Sequence, residues 1–375
     1  MRVRKLDTED KKDVRQFVEF PFELYANCLQ WVPPLISGVE LALNRRKHPF
    51  YRHSDADFFV AEDNGRTLAR IAVQENRRYN DYHHRKAAFF YYFDAVDDAE
   101  AARGVFEAAA DWTARRGLNV LFGPKGFVRS DAPGILVEGF EHRAALSMPY
   151  NYDYYPRLVE AAGFAKEIDY LSGYLERGHD LPDRFYEIVE KVKQRRGFWV
   201  KTFKNKRELR AWIPQIQKVN NEAFTEVWGY YPIDDAEARM VGEQLLSVAD
   251  PRLMKVVMKE DDIAGFAFIF PDISEALRKT RGRLWPFGWI TILREFKRTR
   301  RLSGNGVGLL PEYQGMGASA VLYTEFAKTL KATQALHLDI AQAMETNLKS
   351  LGDLNAVGVI WYKRHRVYRR EPGES

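Results

Sequence analysis

Gly306-Val307-Gly308-Leu309-Leu310-Pro311-Glu312-Tyr313-Gln314-Gly315-Met316-Gly317-Ala318-Ser319-Ala320-Val321-Leu322 is the stretch on which the reading of this chain turns. An apolar strand meets a turn marked by Pro311, then a glycine-containing loop, then a helix with an apolar face. Glycines in the loop let the backbone approach a ligand closely. The first turn of the helix leaves N–H groups unpaired at the positive end of its dipole. Together these make a cradle for an anion or a pyrophosphate. No Lys-Ser/Thr pair follows the glycines, so the nucleotide-hydrolase P-loop is excluded, and Ala318-Ser319 breaks the dinucleotide fingerprint. Read from the residues alone, a tight strand-to-helix connection is an equal alternative.

Around this stretch the pattern predicts an ordered series of elements. A hairpin joins Phe58–Glu62 to Leu68–Val73 through Asp63-Asn64-Gly65. A strand over Ala87–Asp94, a helix capped by Asp97 or Asp98 and stopped at Gly117, a strand over Leu118–Phe122, a helix over Tyr155–Ala162 and a strand over Ile168–Leu175 follow. The second half repeats the order: a hairpin of Leu253–Lys259 with Ile263–Phe268, strand Asn305–Leu310, helix Ser319–Leu330, strand Leu336–Ala341, a short helix near Asn347–Leu351 and strand Val357–Tyr368. Leu68-Ala69-x-Ile71-Ala72 matches Ile263-Ala264-x-Phe266-Ala267, and Asn151 matches Asn347 at nearly the same offset. The order suggests one fold used twice, with a joint near residue 195. Prolines 21, 33, 34 and 49 predict an irregular segment over residues 1–55.

The cradle stretch resembles the coenzyme A signature of the GNAT (GCN5-related N-acetyltransferase) superfamily. Leu309-Leu310-Pro311 matches its aliphatic-x-Pro turn, Gln314 its first position and Gly317 its central glycine, whereas Ser319 stands where Gly or Ala is usual. The resemblance implies an α/β fold, a mixed sheet flanked by helices, in tandem, with acetyl-CoA or a longer acyl-CoA as cosubstrate and no metal. It implies that the backbone of Gln314, Gly315, Met316, Gly317, Ala318, Ser319 and Ala320 binds the pyrophosphate. Gly308, Leu309 and Leu310 would hold the pantetheine along the strand edge, and Asn347 would hold the same arm. The chain is similar to bacterial two-domain GNAT-like proteins, Trp31-Val32-Pro33-Pro34 and His48-Pro49-Phe50 included. The expected domains are 1–195, without cofactor because Asp94, Asp97, Asp98 and Glu100 crowd the corresponding turn, and 196–375, with the CoA site. Asn151-Tyr152-Asp153-Tyr154-Tyr155 in the first half reads either as scaffold inherited from the duplication or as a surface turn above packed tyrosines.

Acyl transfer from a thioester to an amine needs a base, an oxyanion donor and an acid for the leaving thiolate. Glu222, Asp339 and Glu345 are candidate bases, each also readable as a cap or a structural ion pair. The Tyr that relatives carry after the helix-head Asn is missing from Leu351-Gly352-Asp353-Leu354-Asn355, leaving Tyr323 and Tyr362 as candidate acids.

Composition bounds the rest. The 375 residues carry 57 Lys and Arg against 52 Asp and Glu, a net charge of +5, too small to argue for nucleic acid. One cysteine, Cys28, excludes a disulfide framework, and neither a membrane span nor a signal sequence is readable, so a cytoplasmic protein is expected. The positive charge gathers in an insertion over residues 272–303 of the C-terminal domain. There nine cations between Arg278 and Arg301 face only Glu275 and Glu295 once Asp272 is set aside. Its centre is Leu284-Trp285-Pro286-Phe287-Gly288-Trp289-Ile290. A helical hairpin packing these aromatics inward is one reading; a membrane-surface or acyl-chain contact through residues 278–301 is the other. The expected activity is acyl-CoA-dependent N-acylation of a small-molecule or peptide amine. The alternatives are an aminoacyl-tRNA-dependent peptidyl transferase and a non-catalytic acyl-CoA or membrane-surface binding protein.

Overall fold

The computed structural model describes residues 1–333 and 335–371. They divide into two compact units: residues 1–170, 274–292 and the chain from Lys363 form one, and residues 171–273 and 293–362 the other.

The N-terminal half runs through β1 (Arg2–Lys5), α1 (Lys11–Leu24), α2 (Ile36–Leu43), β2 (Asp55–Asp63), β3 (Arg66–Glu75), α3 (Arg77–His83), β4 (Ala87–Ala95), α4 (Ala99–Arg115), β5 (Val120–Gly123), β6 (Ile135–Glu138), α5 (Tyr155–Ala161) and β7 (Ala165–Glu176). The C-terminal half runs through α6 (Asp183–Arg196), β8 (Phe198–Lys201), α7 (Lys206–Ala223), α8 (Asp235–Val248), β9 (Met254–Lys259), β10 (Asp262–Pro271), α9 (Ser274–Thr280), α10 (Gly288–Arg298), β11 (Arg301–Leu309), α11 (Ala318–Thr333), β12 (His337–Met344), α12 (Leu348–Ala356) and β13 (Ile360–Arg370).

The strands β1 to β5 lie in sequence order in the first unit, with the end of β13 beside β5. In the second unit β8 to β12 repeat that order, with β7 beside β12. The final strand of each half thus completes the sheet of the other unit, and the compact units part at Tyr170 and Leu171. The expected joint near residue 195 falls in the last turn of α6, just before Gly197.

Within each sheet one pair is parallel: β4 with β5, and β11 with β12. Just beyond the last residue of each parallel ladder, the strand bulges. Between Asp94 and Tyr91 two residues of β4 oppose one of β3, and Tyr92 there has φ 49°. Between Gly304 and Val307 two residues of β11 oppose one of β10, and Gly306 has φ 93°. A bulge bends and twists its strand, which is how a strand leaves its neighbour. The same device at the same place supports the duplication read from element order.

Three expectations change. Residues 1–55 are not irregular: α1 spans 14 residues with Pro21 inside it. The insertion is shorter than residues 272–303, because β10 reaches Pro271 and β11 begins at Arg301. Residues 274–292 of it are counted with the first unit. There Gly282 O accepts from Ile36 N at 3.0 Å, Arg283 pairs with Glu19 at 3.5 Å and Glu275 with Arg143 at 3.3 Å. Its aromatics do not pack inward: Trp285 is 82% and Phe287 71% exposed.

Candidate active site in the second unit

The site begins where β11 parts from β12. Their ladder runs from Arg301 opposite His337 to Gly304 opposite Ile340 and stops. Beyond it, Val307, Gly308 and Leu309 stay paired with β10, and their other edge has no strand beside it among the described residues. The chain keeps this edge narrow-bodied: a Cβ on Gly308 would lie 3.0 Å from the Phe224 ring and 3.1 Å from Phe266. On the paired side, a Cβ on Gly265 of β10 would come within 2.4 Å of Gly308 O.

After β11 the chain turns through a single 3-10 turn over Pro311–Tyr313, held by Leu310 N donating to Ala264 O at 3.0 Å. Gly315 (φ 72°) and Gly317 (φ 90°) then take left-handed backbone, which favours glycine. A Cβ on Gly317 would also meet Val192 of α6 at 2.4 Å. The amides of Gly315, Gly317, Ala318, Ser319 and Ala320 donate to no protein acceptor among the described residues. Arg196, in the last turn of α6, donates to Met316 O at 3.0 Å and puts a cation beside these amides. Val321, Leu322, Phe326 and Leu330 seat α11 in the core, fixing the direction of its first turn.

The corresponding place in the first unit is engaged by the chain itself. After Phe89 separates from Phe122, Phe90 O accepts from Lys125 N at 2.9 Å. The first free amides of α4, those of Glu100 and Ala101, donate to Asp98 Oδ1 at 2.8 and 3.0 Å. A carboxylate therefore occupies the position that an anion would take. Asn151 is not on the surface: it is 5% exposed and clamps Leu136 by accepting from its N at 2.7 Å and donating to its O at 3.1 Å.

A polar cluster lies on β12 next to the separation point. Asp339, 2% exposed, bonds His337 Nε2 at 3.0 Å, accepts from the Tyr362 hydroxyl and faces Arg301 at 4.0 Å. The Tyr174 ring stacks on His337 at 4.8 Å and meets Tyr362 edge-on at 5.1 Å. Ser303, opposite Asp339 in the ladder, is 1% exposed, and its Oγ has no partner among the described residues. Sequence reasoning selected Asp339 and missed His337 and Ser303; a His two residues before an Asp on a strand was the available signal.

The remaining candidates stand apart from this cluster. Tyr323 lines a narrow apolar crevice with Phe326, Ile340, Leu354 and Val359, and burial pushes its phenol well above the usual value. Glu222 is exposed in the last turn of α7, two residues before the Phe224 that contacts Gly308. Asn347 is exposed and caps α12, its Oδ1 accepting from Ser350 N at 3.1 Å.

A mixed sheet whose central parallel strands separate ahead of a helix, present twice, is the tandem GNAT fold. A tandem GNAT protein from the clavulanic acid biosynthesis pathway matches with a TM-score of 0.57 at 12% identity, over 100% of this chain and 99% of that one. A GCN5-related N-acetyltransferase from Sphaerobacter thermophilus matches with a TM-score of 0.52 at 14% identity, over 99% and 95%. By sequence the chain is 27% identical to Protein YghO of Escherichia coli over 371 residues, 96% of this chain and 94% of that protein. It is 26% identical to the bacterial ceramide synthase of Caulobacter vibrioides over 373 residues, again 96% and 94%. No protein-family model matches the chain.

Proposed function

We propose that the second unit binds an acyl-CoA and transfers its acyl group to a primary amine. The observation that carries this is the pairing of five unengaged amides at the head of α11 with an unpaired edge of β11 leading to them. The amides and Arg196 suit a pyrophosphate, and the β11 edge suits the amide groups of a pantetheine arm. Because Asp98 already accepts from the first amides of α4, we assign no such site to the first unit.

His337 is the group we assign to take the ammonium proton as the new C–N bond forms and the C–S bond breaks. Its Nε2–H points at Asp339, which leaves Nδ1 as the acceptor, and the buried carboxylate steadies the ring once it is charged. The histidine so charged returns the proton to the leaving thiolate, and Tyr323, buried in the apolar crevice beside Ile340 and apart from this cluster, is assigned no step. Glu222 remains the alternative base, and Asn347 a candidate to hold the pantetheine arm. The similarity to a ceramide synthase favours a lipid-like amine, because a ceramide is the amide of a long-chain amino alcohol.

Calorimetry with CoA tests the reading, and absence of heat would end it. Gly317 is a poor position to vary, since any side chain there strikes Val192. Ser319→Glu is cleaner: a carboxylate in the first helical turn is favourable to the helix dipole, yet it repels a pyrophosphate. The variant is expected to keep or raise its melting temperature while losing CoA affinity roughly tenfold or more. Unchanged affinity would place the anion elsewhere. Mass spectrometry of a long-chain amino alcohol incubated with an acyl-CoA and the protein then reads out the amide.

A further inference from the structure

Helix α10 has the sequence of a helix that packs and the surroundings of one that does not. Trp289, Ile292, Leu293 and Phe296 fall on one stripe by helical spacing, with Arg294, Lys297 and Arg298 on the other side. Such a stripe normally faces a core, yet none of the 11 residues of α10 is buried. Trp289 is 46% and Leu293 52% exposed, and they continue the Trp285 and Phe287 of the lead-in turn.

The lead-in is held in place. Ala276 and Leu277 of α9 are buried, and Gly282 sits so close to Pro34 that a Cβ would lie 2.1 Å from its carbonyl oxygen. Gly288 turns the chain back against Arg283, where a Cβ would lie 1.8 Å from the carbonyl oxygen. The aromatics therefore stand at the tip of a fixed turn.

Charge decides what covers them. Arg278, Lys279, Arg281 and Arg283 precede the stripe, and Arg294, Lys297 and Arg298 share its helix. Glu275 is already shared between Arg143 and Arg278. A second copy of this face would set cation against cation, which disfavours self-association through it. An anionic surface with an apolar interior satisfies both parts, the guanidinium and ammonium groups on phosphates and the rings at the depth where tryptophan prefers to sit. At about 16 Å the helix is too short to span a bilayer, so it lies in the plane of the surface. No helix of the described residues is long and apolar enough to cross a membrane.

We propose that α10 and its lead-in turn dock this protein onto anionic phospholipid. The proposal does not depend on CoA binding, and its test uses none. Full-length protein is sedimented with vesicles of phosphatidylcholine alone and of phosphatidylcholine with phosphatidylglycerol. Sedimentation with the anionic vesicles alone, reduced by salt, is expected. W285A/F287A/L293A, which alters only exposed side chains, should bind them about tenfold more weakly at an unchanged melting temperature. R294E/K297E/R298E should bind at least as weakly. Failure of the wild type to sediment with anionic vesicles, or equal binding by wild type and variants, overturns the proposal. So does a wild-type dimer that the aromatic variant dissociates, since that makes the patch a self-interface. CoA calorimetry on the same variants separates this from the catalytic reading, because their CoA heats should match wild type.

Discussion

His337 and Asp339 stand two residues apart on β12, so the strand's alternation places both side chains on one face. Asp339 is too buried to meet an acceptor amine itself, whereas its partner's side chain is 14% exposed. That asymmetry is why the proposed reaction gives the proton transfer to the histidine and the orienting role to the carboxylate. His337→Ala is expected to lower kcat by about 100-fold or more while leaving acyl-CoA affinity intact, as loss of a general base does. Asp339→Asn should reduce kcat with CoA binding intact, because the imidazole loses the carboxylate that orients it, and Asp339→Glu should restore part of the rate. Loss of CoA affinity in either variant would show that the cluster is structural.

At the scale of elements, α1 shows how a rule of local sequence yields to a distant residue. Pro21 offers no N–H to the carbonyl of Phe17, which should break the helix. Arg70 of β3 donates to Phe17 O at 2.5 Å in its place. The same guanidinium pairs with Asp94 of β4 at 2.6 Å and lies over the Phe17 ring at 4.7 Å. Burial pushes the Asp94 carboxyl up, against the pull of Arg70. Arg70→Met should therefore strand both a carbonyl and a buried carboxylate and cost roughly 3–5 kcal/mol in urea unfolding. A cost below about 1 kcal/mol would mean that the helix does not depend on this bond. The cradle, by contrast, was legible: glycines, proline and the apolar face of α11 are local signals, and the helix begins within one residue of the expected start.

For the whole molecule, two buried histidines tie stability to pH. Burial lowers His48 and His365 to about 4 from an ordinary 6.5. Between those values the unfolded chain binds protons that the folded chain refuses, so stability rises with pH across the window and falls on acidification. Each unit of depression is worth about 1.4 kcal/mol, so several kcal/mol are at stake. The melting temperature should drop steadily from pH 6.5 to 4, and a H48Q/H365Q variant should flatten that slope. Asp169 acts in a lower window: Arg366 and Lys166 outweigh the upward push of burial and hold its carboxyl below its usual 3.8. A melting temperature constant over the histidine window would show that neither ring resists protonation.

The sequence by itself determined the class of fold, the repeated element order and the glycine-turned connection into α11, because hydrophobic period, turn chemistry and glycine placement act over a few residues. It also located the basic, Trp-bearing insertion that carries the chain's excess charge. Tertiary structure alone decided four things. It set which unit each half's last strand completes, and that Pro21 is tolerated within a helix. It set that Asn151 is buried as a clamp on Leu136, and that the aromatics of residues 285–293 face outward. Each depends on a partner far along the chain, or on its absence, and local pattern carries no information about either.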